Sequence, residues 1–196
     1  MNGSDSKQRD ITVQDFKVET LLKLANGIHK NPLQSVVYDS NVDEWSSELV
    51  KKKVNTYTNI TLFVFTNSDY VFGLHANDIR LAQQNSFSES SSHFLFTYKN
   101  TLKGLSQDEM AKGNILPKII HPKRFSQSTL LFSDTKAQLF QTGAFIIQLD
   151  NTHNTSFIDN NMFLRYTNVE RQDFVPDKMY FFGTLRVVLI ASYNWR

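Results

Sequence analysis

With 196 residues, 40% of them hydrophobic and 16 of them Phe, the chain has the apolar surface for one core and is too hydrophobic to remain unfolded. Its 21 Lys and Arg stand against 19 Asp and Glu, so no strong field of either sign draws it to nucleic acid. It has no Cys, which excludes disulfides, thiolate nucleophiles, Cys-ligated zinc and iron–sulfur clusters.

Met1 to Asp10 is polar, and residues 1–15 are expected to form a flexible segment ahead of a single domain over 16–196. The segment lacks the apolar run of a secretory signal, so a cytoplasmic location is expected. Phe16, Leu21, Leu24 and Ala25 fall near helical spacing and predict a short helix, closed by a C-cap at Asn26-Gly27. Asn31-Pro32 breaks the chain, and Ser35-Val36-Val37-Tyr38 predicts a first strand. Val42, Trp45 and Leu49 share one side of a second helix, capped by Asn41 or Asp43, and Lys51, Lys52 and Lys53 near its end suit the helix dipole. Ile60 to Phe65 and Tyr70 to His75, joined by Asn67-Ser68-Asp69, predict a β-hairpin. Asn77 to Ser92 is Ser-rich, aperiodic and expected to be a loop, after which His93 to Tyr98 resumes strand character. Thr101 to Arg124 is expected to be irregular. Thr129 to Phe132, Ala144 to Leu149 and Met162 to Tyr166 predict three further strands. Met179 to Tyr193 predicts the longest one, and its run Val187-Val188-Leu189-Ile190 lacks polar alternation, so both faces are expected to be buried. The longest apolar runs, Leu62 to Phe65 and Val187 to Ala191, fall far short of the ~20 residues that cross a bilayer, so no membrane insertion is expected. Together these elements predict an α+β, mostly β fold: two antiparallel sheets in a sandwich flanked by short helices.

The chemistry-bearing residues give little purchase for catalysis. His29, His75, His93, His121 and His153 lack metal-ligand spacing, no Gly-x-Ser-x-Gly elbow occurs, and the seven glycines form no phosphate-cradling loop. No metal, cofactor or catalytic residue is assigned. Asn59-Ile60-Thr61 and Asn154-Thr155-Ser156 match the glycosylation pattern, which has no meaning without a signal. Tyr38, Phe63, Phe65, Phe72, Phe94 and Phe96 at strand spacing read as core packing, and Gly73 as a bulge or close backbone approach. The basic run Lys51 to Lys53 reads as a solvated face. Lys118, His121, Lys123 and Arg124, flanked by Ile119, Ile120 and Phe125, mix charge with apolar surface and form the candidate partner-binding site.

Val37-Tyr38-Asp39-Ser40, the Trp45 helix, the Ile60 to Phe65 strand, the Asp69-Tyr70-Val71-Phe72-Gly73 hairpin and Phe94-Leu95-Phe96, in that order, resemble the first half of a TLDc domain. Gly143-Ala144-Phe145 and Phe182 to Ala191 resemble parts of its second half. Tyr70 stands where the family usually has a turn glycine, and Leu74 where a second glycine is common. The resemblance implies a non-enzymatic protein linked to resistance against oxidative stress, with a protein partner that in some members is the vacuolar proton-pumping ATPase. Without a thiol, protection by a sulfenic acid cycle is closed to this chain, so any protection is indirect. The alternative reading is a hydrolase with Ser and His brought together from the segments 77–92 and 101–124.

Overall fold

A computed structural model describes residues 16–28, 34–54, 57, 59–77, 80–81, 87–90, 92–99, 109, 112, 115–123, 128–131, 138–149, 156–176 and 179–192. The expected flexible segment 1–15 lies outside these residues.

Two antiparallel sheets carry the fold. In chain order the first sheet contains β1 (Gln34–Asp39), β2 (Asn59–Thr66), β3 (Val71–Asn77), β6 (Ser92–Lys99), β7 (Lys118–Ile120) and β13 (Thr184–Ser192). The second contains β4 (Arg80–Leu81), β5 (Phe87–Ser90), β8 (Ser128–Leu131), β9 (Gln138–Gln141), β10 (Phe145–Gln148), β11 (Ser156–Ile158) and β12 (Phe181–Phe182). Strand order in the first sheet is β1-β13-β2-β3-β6-β7, so the last strand is inserted between the first two.

Side-chain alternation sends one face of the first sheet toward the second sheet and the other toward helix α1 (Val18–Ile28). On the inner face Phe72 of β3 sits at the centre, its ring edge-on to Phe145, Phe174 and Phe182 at 5.1, 5.2 and 5.4 Å between centroids. On the outer face Phe63, Phe65, Phe96 and Tyr98 pack against Phe16, Leu21, Leu24 and Ala25. The single strand expected over Met179 to Tyr193 is split between the sheets as β12 and β13, with Met179 to Phe181 exposed, while the expected burial of Val187 to Ile190 on both faces is borne out and β2 is likewise buried along its whole length. Five of the six aromatic residues assigned to packing are fully enclosed, and Phe94 is half-buried. Gly73 fulfils its reading as a close approach, since a Cβ there would lie 1.7 Å from the Leu62 carbonyl oxygen. Asn59 and Thr61 are buried in β2, which leaves no room for a glycan at Asn59, and Asn154 lies outside the described residues.

Arg186 of β13 anchors α1 to the sheet. Its Nε donates to Asp39 Oδ1 at 2.9 Å, its Nη2 to Asp39 Oδ2, and its Nη1 to the Phe16 carbonyl at 2.8 Å. The pair is buried on both sides, a geometry in which a bidentate guanidinium meets a carboxylate without leaving either charge alone.

Several expectations change. Gly27 lies inside α1, which continues to Ile28, and it closes nothing. The second helix, α2 (Ser47–Val54), starts later than expected: the Leu49 amide donates to Ser46 Oγ at 3.3 Å, and Val42 is 85% exposed. Asp43 serves instead as acceptor for Lys53 Nζ at 2.5 Å and for the Asp39 amide at 3.0 Å. The segment expected as a loop between Asn77 and Ser92 contributes β4 and β5 to the second sheet, and the irregular stretch ends in β7. Met162 to Tyr166 is a helical turn, α3 (Met162–Arg165), and not a strand. Met162 and Tyr166, four residues apart, both face the core, whereas Leu164, which a strand would bury with them, is 73% exposed.

Candidate functional site

The basic candidate residues fall on β7 and the chain that leaves it. That chain runs antiparallel to the end of α3: Pro122 bridges Tyr166, the Lys123 amide donates to the Arg165 carbonyl at 2.7 Å, and the Thr167 amide and hydroxyl both donate to the His121 carbonyl at 3.0 Å. Between the two stretches lies an open groove of 560 Å³. Lys118 and Lys123 stand on one side, Phe163 and Thr167 to Glu170 on the other, and buried Tyr166 sits at its base. Tyr166 is in turn edge-on to buried His93 at 5.9 Å. Asn168 adopts φ 52°, a left-handed conformation that Asn tolerates better than most residues, and it turns the loop around the groove.

The two lysines are held differently. Lys118 Nζ pairs with Asp173 Oδ2 at 2.7 Å. Asp173 is 5% exposed, accepts the Glu170 amide at 2.9 Å, and offers its carbonyl to the Thr97 hydroxyl. Glu170 returns the favour by accepting the Asp173 amide, so a capping box fixes the 3₁₀ turn Arg171–Asp173 at the end of the groove. Lys118 is therefore largely a structural cation that balances a buried carboxylate. Lys123 Nζ donates to the Phe163 carbonyl at 2.9 Å, a bond that ties the side chain across to the start of α3. His121 is exposed and tilts toward Phe94 at 6.1 Å. Arg124, the fourth candidate, lies outside the described residues. The cluster stands out in the sequence but the opposite wall does not, because Phe163 lies 40 positions from Lys123 and the two stretches meet only through long-range pairing.

A hydroxyl–imidazole line does exist elsewhere. Thr61 Oγ1 lies 2.9 Å from His75 Nδ1, and His75 Nε2 lies 2.9 Å from Asn77 Oδ1. An acceptor at Nε2 keeps the proton there, so the Thr61 hydroxyl donates to Nδ1. Thr61 is 0% exposed and His75 2%, so this is a satisfied interior histidine that no substrate reaches. Among the described residues no three His, Asp or Glu side chains are placed to hold a metal, and no helix is long and apolar enough to cross a membrane. Most of the two segments invoked for a Ser/His hydrolase site lies outside the described residues.

A family model described as the TLDc domain matches residues 7–118, more than half of the chain. The chain belongs to the TLDc family. A comparison with curated proteins gives no match. The matched part of this TLDc chain takes in α1, α2 and the strands of the first sheet up to the start of β7, but not β13. Lys118 is its last residue, so Lys123 and the Phe163 wall of the groove belong to the unmatched remainder.

Proposed function

We propose that this TLDc protein is a non-catalytic interaction module that acts in the cytoplasm by binding a protein partner through the groove between Lys123 and Phe163. The observation that carries this reading is the contrast between two sites. The groove is open and sets lysine side chains beside the exposed Phe163 ring, whereas the hydroxyl–imidazole line Thr61–His75 is sealed inside the sheet. A mixture of cations with the exposed Phe163 ring and an irregular polar loop, Thr167 to Glu170, is the composition of a recognition surface. The family resemblance supplies the setting: indirect protection against oxidative stress, and the vacuolar proton-pumping ATPase as the partner to test first. In the absence of any thiol such protection runs through a partner and not through peroxide chemistry on this chain.

Crosslinking of the full chain in its own cells, followed by mass spectrometry, tests the reading. Crosslinks from Lys118 or Lys123 to a specific protein, lost in a folded His121→Glu/Lys123→Glu variant, are expected. Unchanged capture by that variant, with the same melting temperature as the parent, would refute the assignment of the surface.

A further inference from the structure

We infer that the outer edge of β12 receives an extended segment of another protein, with an apolar residue set against Phe181 and an acidic residue next to it set against Tyr180 and Arg171. This surface is separate from the Lys123 groove and does not depend on the function given to that groove. β12 is the terminal strand of the second sheet and pairs with β11. The ladder continues past it, since the Ile158 amide donates to the Tyr180 carbonyl at 3.1 Å. Bonded and non-bonded pairs alternate along an antiparallel ladder, so Phe181, opposite Phe157, turns its own amide and carbonyl away from β11. The next position on that outer side is closed: the Gly183 carbonyl accepts the Asn67 amide at 3.0 Å, and the Gly183 amide donates to Asn67 Oδ1 at 3.3 Å. On the other flank the Met179 amide donates to the Pro176 carbonyl at 3.1 Å. Between these two closures no described residue meets the Phe181 amide and carbonyl, the donor and acceptor that an added strand uses.

Both faces of this edge carry a further contact. Phe181 is 57% exposed, and its ring stands edge-on to that of half-buried Phe157 at 6.0 Å. Phe157 in turn lies opposite Ile146, so an apolar row crosses β12, β11 and β10 on the face turned away from the core. Tyr180, one residue earlier and 42% exposed, turns to the other face, where the Arg171 guanidinium carbon lies 3.6 Å from its ring centroid. Among the described residues no carboxylate pairs with Arg171, and its buried Nε has no acceptor. Its acidic neighbours are engaged elsewhere, Glu170 with the Asp173 amide and Asp173 with Lys118. A strand added at this edge sets successive side chains on opposite faces, each within about 5 Å of the one it opposes. The residue bonded to Phe181 therefore extends the apolar row, and the next one lies beside Tyr180, where a Glu reaches Arg171. A second copy of this chain supplies no such acid: β12 against its own two-fold image sets Phe182, which is buried in the core, opposite Tyr180. A lipid surface covers Phe181 but offers no backbone to pair with it.

The test is an NMR titration of the isotope-labelled full chain with four blocked pentapeptides. The first is Thr-Glu-Phe-Glu-Thr, in which either strand direction sets an acid opposite Tyr180. The others are Thr-Lys-Phe-Lys-Thr, Thr-Glu-Ser-Glu-Thr, and the first peptide again with its Phe nitrogen methylated. The first should shift the amides of 156–158, 171 and 179–183. Each of the others should bind about fivefold more weakly or worse, the worth of one exposed ion pair, one apolar anchor or one backbone hydrogen bond. Arg171→Gln should abolish the preference for Glu over Lys and keep that for Phe over Ser. The four peptides on the parent chain decide the question even where that variant unfolds. Equal binding of the methylated peptide, no preference for Glu over Lys, or shifts centred elsewhere would each overturn the inference. So would the same amides responding to dilution of the chain alone, which points to a second copy, or to phosphatidylserine vesicles and to none of the peptides.

Discussion

Gly73 offers the sharpest check on the packing between β2 and β3. It pairs with Phe63 in the sheet, and a methyl added to it would meet the Leu62 carbonyl oxygen at 1.7 Å, the Leu62 carbonyl carbon at 2.9 Å and Phe96 Cζ at 2.5 Å. The Phe96 ring cannot swing away easily, because it is fully buried and edge-on to Phe63 at 5.0 Å. The Leu62 carbonyl is backbone in a strand paired on both sides, so relief requires β2 to move against β13 or β3. Overpacking of a core typically costs ~1–3 kcal/mol, and contact with backbone puts Gly73→Ala at the upper end, about 3 kcal/mol. For a domain of this size that lowers Tm by roughly 6–12 °C. Urea unfolding followed by far-UV circular dichroism measures it directly. The control is Gly27→Ala in α1, where nothing lies within 4 Å of the added methyl. That change should raise stability by ~0.5–1 kcal/mol through helix propensity alone. A Gly73→Ala protein within about 0.5 kcal/mol of the parent would show the interstrand contact to be wrong.

Arg186→Met strands the buried Asp39 carboxylate, and a loss of about 3–5 kcal/mol is expected in chemical denaturation, with much of it recovered in the Asp39→Asn/Arg186→Met double variant. If single and double variants are equally unstable, the ion pair does not govern the anchoring of α1. Burial pushes the Asp43 carboxyl up, but the Lys53 ammonium bonded to it and the Asp39 amide outweigh burial and hold it below its ordinary value. A lowered folded-state pKa adds stability above the unfolded pKa of about 3.9 and loses it as pH falls through the folded value. The urea midpoint should therefore drop between pH 5 and pH 2.5 by more in the parent than in Lys53→Met. Burial also raises the Tyr98 phenol far above its usual range, and raises Tyr38 with help from the nearby carboxylates. Spectrophotometric titration should leave both unionised at pH 11 for as long as the domain stays folded.

The strands legible in the sequence are those with a dense pattern of their own. Ile60 to Phe65, Tyr70 to His75, His93 to Tyr98 and the run around Val187 declare themselves by β-branched and aromatic residues, and the first sheet follows from them. Gln138–Gln141 and Ser156–Ile158 went unread, because strands this short are defined by neighbours such as Phe140↔Ile147 and Phe157↔Ile146 and not by internal alternation. Met162 to Tyr166 misleads for another reason. Over five residues, apolar side chains at the first and last positions fit a helical turn as well as a strand, and only the exposure of Leu164 separates them. The candidate site was half legible: Lys118, His121 and Lys123 stand out as charge among apolar neighbours. Phe163 and the Thr167 to Glu170 loop become a wall only through long-range pairing with His121 and Lys123, and Lys118 proves to be paired with Asp173.

The place of β13 between β1 and β2 has a consequence for how the molecule is made. On the ribosome, Gln34–Asp39 and Asn59–Thr66 emerge well before the strand that joins them, Thr184–Ser192. At roughly 5–20 residues per second, β2 waits many seconds with one edge open and its Phe side chains without their final neighbours. A nascent chain that stops short of Thr184 exposes an open strand edge, and a stop codon ahead of Thr184 removes the strand that joins β1 to β2.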